Sequence, residues 1–353
     1  MQSLDEKKRD IFEVVGEKGL FSVEKQSIKL SERDLSDTGQ IPVFSSQTSN
    51  NGVMGFTNKV ADFFIKDTPA LIFGDHTKSM DISNHSFCAA DNVKVLRPQN
   101  IPFDALFYVS CAWKKRIPDM GYARHWRKAK KVGIELPVTD SGEPDYAYMA
   151  EYAQQKRNAM LAKYRAYVEA RIAELGEVAE IPALDEKGWR AFHLEEIGTV
   201  TSGRDIYAAE RVKGNTPYIT SGGTNNGVGY FVGNINDTLD SGYIALNRNG
   251  TVGKAFYHPS KSLMGNDCRK IHLKDADRNL FVGQFVSLCL SMQSECFSYS
   301  RKLGTARAKR MQVMLPVTDS GEPDYEYMEQ YSKNMMLRKY QQYLTFLQQR
   351  SNA

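Results

Sequence analysis

Residues 135–152 read ELPVTDSGEPDYAYMAEY, and residues 314–331 read MLPVTDSGEPDYEYMEQY. Fourteen of the 18 positions are identical at an offset of 179 residues. A match of that length means an internal duplication, which outranks every other signal in a sequence. The period far exceeds the roughly 20–50 residues of solenoid and propeller repeats. The repeated unit is therefore a whole domain with its connector. Other landmarks recur in the same order. Asn50-Asn-Gly-Val53 answers Asn225-Asn-Gly-Val228, Gly121-Tyr-Ala-Arg124 answers Gly304-Thr-Ala-Arg307, and NAMLAKYRAY (158–167) answers NMMLRKYQQY (334–343). Between these landmarks the halves differ strongly, so one architecture carries two different surfaces.

Each half begins with a mixed segment, roughly 10–134 and 189–313. Short β-type runs such as Ala70-Leu-Ile-Phe73, Val93-Lys-Val-Leu96, Tyr243-Ile-Ala-Leu246 and Lys270-Ile-His-Leu273 are separated there by Gly, Asn and Ser clusters. A helix is expected around 281–292. This pattern reads as an α+β domain built around a curved or barrel-like sheet. Residues 20–40 read as an insertion relative to the second half.

Each half then ends in a helix. Pro144-Asp145 and Pro323-Asp324 stop one element and cap the next. Apolar residues follow at Met149, Tyr152, Met160, Tyr164 and Val168, and at Met328, Tyr331, Met335, Tyr340, Leu344 and Leu347. Steps of three and four make a helical stripe. A helix of about 27 residues is about 40 Å long. So long a stripe calls for a partner helix, and its own duplicate is the natural one. Two like domains pairing this way would be related by a pseudo-two-fold axis, with the helices forming an antiparallel coiled coil. The domains would then stand about one turn of B-DNA apart, a geometry suited to two short blocks around an unread spacer.

With 353 residues, 41% apolar and 25% charged, the chain has the composition of two soluble globular domains. It has no apolar run long enough to span a membrane. The opening MQSLDEKKRDIF lacks the apolar core of a signal peptide, so a cytoplasmic location is expected. The five cysteines form no C-x-x-C pair and are expected to be reduced and buried, with no metal site. The net charge of +4 decides nothing. Residues 113–131, however, set Lys114, Lys115, Arg116, Arg124, Arg127, Lys128, Lys130 and Lys131 against the single acid Asp119. The matching place holds Arg301, Lys302, Arg307, Lys309 and Arg310. One such patch is either a solvated face or a phosphate footprint, and its recurrence favours phosphates.

These landmarks identify the chain as similar to the specificity (S) subunits of type I and type IIB (BcgI-like) restriction–modification systems. Trp189…Leu194-Glu-Glu-Ile-Gly198…Thr201-Ser-Gly203 resembles the opening of a target-recognition domain. Thr220-Ser-Gly-Gly223 and Asn247-Arg-Asn-Gly-Thr-Val-Gly253 resemble its loops, and Gly304-Thr-Ala-Arg307…Leu315-Pro-Val317 resembles its exit into the helix. The LPV…GEPDYEYME wording leans toward the type IIB group. The first half departs from the pattern: it has no Trp opening, and Phe73-Gly-Asp-His-Thr-Lys78 replaces the Asn-Arg-Asn-Gly loop.

The resemblance implies target-recognition domains at 1–134 and 188–313, with repeat-shared helices at 135–187 and 314–353. It implies a non-catalytic subunit that reads an asymmetric bipartite duplex. Its partners would be adenine methyltransferase subunits, two per chain, and a restriction subunit or fused nuclease. S-adenosylmethionine and Mg would bind those partners and not this chain.

Base reading needs paired donors and acceptors. Asp75, His76, Lys78, Arg248 and Asn249 are the candidates. Lys114, Lys115, Arg124, Lys254, Arg301, Lys302 and Arg307 are candidates for phosphates. Asn50 and Asn51 are identical in both halves and read better as a turn. No methyltransferase, P-loop or nuclease motif is present. Asp145 with Asp185-Glu-Lys187 matches a nuclease pattern only loosely, and no counterpart of that triplet is evident in the other half. The competing class is a duplicated protein-interaction scaffold, or an S-subunit mimic that titrates methyltransferases.

Overall fold

The computed structural model describes residues 6–64, 69–121, 123–276, 278–297 and 302–351. The chain forms two compact units, Met1–Tyr164 and Arg165–Ala353. In the first unit, β1 (Arg9–Phe12), β2 (Phe21–Glu24), β3 (Ile41–Phe44), β4 (Val53–Thr57), β5 (Ala70–Gly74), β6 (Met80–Ser83), β7 (Cys88–Ala89) and β8 (Val93–Pro98) lead into α1 (Phe103–Arg116). The short α2 (Trp126–Ala129), β9 (Ile134–Pro137) and the long α3 (Tyr146–Leu175) follow. The strands make sheets ordered β2-β8-β5-β6, β4-β3-β7 and β1-β9.

The second half repeats this plan. It runs β10 (Trp189–His193), α4 (Leu194–Ile197), β11 (Gly198–Ser202), β12 (Lys213–Ile219), β13 (Val228–Val232), β14 (Tyr243–Asn247), β15 (Ala255–His258), β16 (Leu263–Met264) and β17 (Cys268–Leu273). Then come α5 (Leu280–Ser291), α6 (Thr305–Lys309), β18 (Gln312–Pro316) and α7 (Tyr325–Ser351). Its sheets are ordered β11-β17-β14-β15, β13-β12-β16 and β10-β18, the same topology strand for strand.

The repeated Leu-Pro is thus the end of a strand that folds back on the domain's own opening. Arg9 pairs with Pro137, and Trp189 with Pro316. Arg9 therefore stands where the second half has its tryptophan. Residues 20–40 are not an insertion. They contain β2 and the crossing to β3, and the registers make this path only two residues longer than the matching one. Leu20, Phe21 and Leu30 are buried, but most of the crossing between them and β3 is on the surface, where its sequence is free to differ.

Each β5- or β14-centred sheet packs its helix on one face. Leu71, Phe73 and Leu96 meet Leu106, Val109 and Trp113, while Leu246 and Ile271 meet Val282, Val286 and Leu290. Trp113 is the anchor of the first core. It stacks on Phe73 at 5.4 Å and Phe21 at 6.1 Å, and its Nε1–H donates to Ala129 O at 3.1 Å, tying α1 to α2.

The long helices are anchored by their own domains before they protrude. Met149 and Met328, expected in a helix–helix seam, are fully buried in their domain cores. Tyr152 packs edge-on against Tyr108, and Tyr331 against Phe285. An apolar stripe records that a face is covered, not by what, and the first turns lie on α1 and α5. Further along, Met160, Tyr164 and Met335 are exposed, while Tyr340, Leu344 and Leu347 are half-buried. Within the second unit the end of α3 does meet α7. The Tyr167 and Tyr340 rings sit perpendicular at 6.3 Å, Arg171 hydrogen-bonds Tyr340, and Val168 is fully buried.

Lys187 is bonded to Asp324 at 2.7 Å and lies over the Tyr327 ring. Its counterpart is Lys7, bonded to Asp145 at 2.7 Å and lying over Tyr148. The triplet Asp185-Glu-Lys187 therefore does recur, as Asp5-Glu-Lys7 at the opening of the first half. Each lysine closes its own domain onto the start of its helix, which removes the nuclease reading of these residues. The linker into the second unit is gripped by α7 as well. The buried Asn334 accepts from Ala179 N at 3.0 Å and donates to Ala179 O at 2.8 Å, and Tyr327 donates to Pro182 O at 3.0 Å.

His258, at the end of β15, is buried beside the Tyr243 ring, and its Nε2 has no hydrogen-bond partner among the described residues. Burial pushes its pKa down from 6.5 to about 4. The unfolded chain then binds the proton more readily than the folded one between these values. The stabilisation is fully present above pH 6.5 and is lost as pH falls toward 4, by about 3 kcal/mol. Urea melts of the whole chain at pH 7 and pH 4.5 should show the second unit losing most of this amount. His258→Phe should flatten that dependence, and an unchanged slope in the variant would refute the assignment.

Candidate nucleic-acid interface

The loops singled out by the sequence converge at one end of each unit. In the first, Ser45 N donates to Gly52 O, closing the turn that carries Asn50 and Asn51. Both asparagines have left-handed backbones (φ 48° and 49°), and so do Asn225 and Asn226 (φ 51° and 52°). Asparagine tolerates that region better than other side-chain-bearing residues. The shared Asn-Asn-Gly is therefore a turn device. Gly52 has φ 79°, which strains any other residue, and a Cβ there would lie 2.4 Å from the Asp81 carboxylate, which would have to shift.

Around this turn, Ser46 N donates to Asn92 Oδ1 and His76 N donates to Ser46 Oγ. Asp75 N donates to Asn92 O, and His125 N donates to Asp75 O. The β5–β6 turn, the β3–β4 turn and the segment before α2 thus form one bonded cluster. The second unit builds the same scaffold from other residues. Thr251 N and Oγ1 donate to Ser221 O, and Asn247 Nδ2 donates to Gly222 O. Arg248 N donates to Asp267 O, and Leu303 N donates to Arg248 O. Asp75 and Arg248 occupy the same place on the scaffold, as do Asn92 and Asp267.

The side chains at these places differ in kind. Asp75 is only 4% exposed, and its Oδ1 accepts from Trp126 N at 2.7 Å. It caps α2 and is not presented to a base, contrary to expectation. Its polarity in a loop suggested contact with a ligand, but the helix start behind it takes the carboxylate. His76 is half-buried. Lys78 has a left-handed backbone (φ 55°) and pairs with Asp119 at 3.6 Å. His125, which the sequence reading passed over, is buried at the junction. Met120 N donates to its Nε2, so its Nδ1 carries the proton and donates to Asp75 O at 3.1 Å.

In the second unit, Arg248 keeps 28% of its side chain exposed and sits 3.8 Å from Asp267 Oδ1. Asn249 Nδ2 donates to the same oxygen at 3.3 Å. Arg248 Nε, Asn249 Oδ1 and the Nε of the buried Arg269 have no hydrogen-bond partner among the described residues. Burial and the nearby Arg248 charge push the Arg269 pKa down. Arg248 and Asn249 gather on one aspartate, while Arg269 beside them donates to Asn266 O and Cys268 O; the two unpartnered groups of Arg248 and Asn249 leave this tip hydrogen-bonding capacity to spare. Asp267 and Arg269 were not singled out from sequence. The available signal was weak: a polar residue at the mouth of a β run that ends a Gly-Asn-Asp turn.

The basic residues flank these tips. Lys114, Lys115 and Arg116 occupy the last turn of α1, where cations suit the helix dipole. They, Arg124, Arg127, Lys128, Lys130 and Lys131 are all exposed. In the second unit Lys254 and Arg307 are exposed, and Arg307 donates to Lys302 O at 2.6 Å. Lys302 itself is half-buried, and Arg301 lies outside the described residues. Of the cysteines, Cys88 and Cys268 are buried as expected, whereas Cys111 and Cys296 are exposed. They fall on the outer faces of α1 and of a tight turn, positions a cysteine count cannot anticipate. No cluster of potential metal ligands occurs among the described residues, and no described helix is long and apolar enough to cross a membrane.

A family model described as the type I restriction modification DNA specificity domain matches residues 10–162 and again 186–344. The chain is 26% identical over 270 residues to S.BcgI, the specificity subunit of a type II restriction enzyme from Heyndrickxia coagulans, covering 76% of this chain and 77% of that protein. A crystal structure of the S subunit of a type I restriction–modification system from M. genitalium is similar in fold. It has a TM-score of 0.50 at 15% identity, over 99% of this chain and 94% of that one. With the domain matched twice over most of its length, and with the two matched halves folded alike, the chain belongs to the type I restriction modification DNA specificity domain family.

Proposed function

We propose that this chain is a specificity subunit, not an enzyme, that reads an asymmetric bipartite duplex and positions adenine methyltransferase and restriction subunits on it. The observation that carries the reading is one scaffold displayed twice with different tips. Where the first unit has Asp75, Asn92 and the Lys78–Asp119 pair, the second has Arg248, Asp267 and Asn249. Identical tips would read a repeated half-site; unlike tips read two different ones. Arg248 and Asn249 are the base-reading residues of the second unit, and His76 and Lys78 remain the candidates of the first. Exposed Lys114, Lys115, Arg124, Lys254 and Arg307 hold phosphates. S-adenosylmethionine and Mg belong to the partner subunits, and the complex works in the cytoplasm.

The long helices set the distance between half-sites, a role supported by the Tyr167–Tyr340 contact. Inserting one heptad in each helix should lengthen the unread spacer and leave both half-sites unchanged; an unaltered spacer would remove the ruler role. The decisive experiment is genome-wide mapping of N6-methyladenine in cells making the methyltransferase of the same system with and without this chain. A bipartite motif that depends on the chain is expected. If an active methyltransferase and a folded chain produce no motif, the chain is a scaffold or a mimic instead.

A further inference from the structure

The tip of the second unit is organised by one residue. Asp267 O accepts from Arg248 N at 2.8 Å and from Asn249 N at 3.3 Å. Its Oδ1 accepts from Asn249 Nδ2 at 3.3 Å and stands 3.8 Å from Arg248 Nη2. Asp267 is itself held on both sides. Arg269 Nη1 donates to Asn266 O at 2.9 Å and to Cys268 O at 2.7 Å, the carbonyls that flank it. A guanidinium and a carboxylate are thus set side by side before any ligand arrives. Pre-ordering of this kind lowers the entropy lost when long side chains bind.

Both members of the pair keep capacity for a ligand. At 3.8 Å they are ion-paired but not hydrogen-bonded, so the Nη donors of Arg248 are not used up by Asp267. The side chains are 28% and 47% exposed. Together they present donors and, beside them, an acceptor. The major-groove edge of a G·C pair presents the complement in one row: the guanine N7 and O6 acceptors, then the cytosine N4 donor. An A·T pair in either direction puts its donor in the middle, and a reversed C·G pair puts it first. The spacing agrees as well. O6 and N4 are hydrogen-bonded to each other about 2.9 Å apart, close to the separation of Arg248 Nη2 and Asp267 Oδ1. The first unit has no such pair. Asp75 stands in the place of Arg248 and caps α2, and Asn92 stands in the place of Asp267 and accepts from Ser46 N.

We infer that Arg248 and Asp267 together read one G·C base pair across both strands. Arg248 donates to guanine N7 and O6, and Asp267 accepts from cytosine N4. This deepens, and rests on, the reading of the chain as a specificity subunit. The test measures duplex binding by the full chain assembled with the methyltransferase subunits of its system. The position at which Arg248→Ala loses discrimination identifies the pair, which should be G·C. Three base analogues are then placed there. Inosine keeps N7 and O6 and should bind within twofold. Replacing the guanine with 7-deazaguanine removes N7 and should weaken the parent about tenfold. Replacing the cytosine with N4-methylcytosine puts a methyl on the free N4 hydrogen and should weaken the parent similarly. The first cost should vanish in Arg248→Ala and the second in Asp267→Ala, while discrimination at the first half-site stays intact in both.

A position other than G·C, or 7-deazaguanine bound as well as guanine, would overturn the inference. So would analogue costs that persist in the matched variants. Tolerance of N4-methylcytosine alone would remove Asp267 from the contact and leave it holding Arg248. The analogue measurements on the parent need no variant, so they decide the matter even if a variant fails to fold. Equal weakening of every duplex by Arg248→Ala overturns the base-pair reading and leaves the specificity role standing. A parent complex that selects no sequence overturns both.

Discussion

Trp113→Ala is expected to unfold the first unit while leaving the second folded. Trp113 is fully buried, stacks on Phe21 and Phe73, and bonds α2 through Ala129 O. Truncating a buried tryptophan costs about 3–5 kcal/mol through lost transfer energy and the cavity left behind. A domain is stable by only about 5–15 kcal/mol, so the first unit falls to the margin. The Ala129 carbonyl also loses its donor, a further cost of about 1 kcal/mol. Calorimetry should resolve two transitions, of which only one moves. In cells the methylation motif should lose one half-site or disappear. A single transition shifted as a whole would show that the two units melt together.

Arg248→Ala should weaken binding to the cognate duplex by about ten- to a hundredfold, the worth of one bidentate arginine–base contact. The loss should be confined to one position in one half-site. Binding to a duplex altered at that position should change little, so discrimination there collapses. Asp267→Asn tests the same assembly differently. It removes the charge that holds Arg248 and Asn249, and should reduce discrimination less than Arg248→Ala does. Lys115→Ala offers a contrast, because a phosphate contact weakens all sequences alike and lowers the salt slope by about one. Equal losses on cognate and altered duplexes for Arg248→Ala would move that residue from base reading to phosphate holding.

Much of this architecture was legible before any coordinates. The 179-residue repeat announced two like domains, and the runs at 70–73, 93–96, 243–246 and 270–273 are all strands. The expected helix at 281–292 is α5, displaced by one residue. Short apolar runs bounded by turn residues carry this information locally. The same local logic failed where a side chain's partner comes from afar. Asp75 bonds Trp126, 51 residues on, and Lys187 bonds Asp324, 137 residues on. No spacing rule distinguishes such a carboxylate from one aimed at a ligand. Met149 and Met328 show the same limit for apolar residues. Their helical spacing is right, but the face they cover belongs to their own domain.

By itself the sequence determined the duplication, the domain class, the long helices, and the contrast between shared turns and divergent loops. All of these rest on local propensity, periodicity or direct self-comparison. Tertiary structure decided which polar residues are spent inside the fold and which remain available. It buried Asp75 and His125 and left Arg248 and Asn249 around Asp267. Burial and hydrogen-bond partnership depend on chain segments that meet only after folding, so a residue's chemistry is known from its letter but its availability is not.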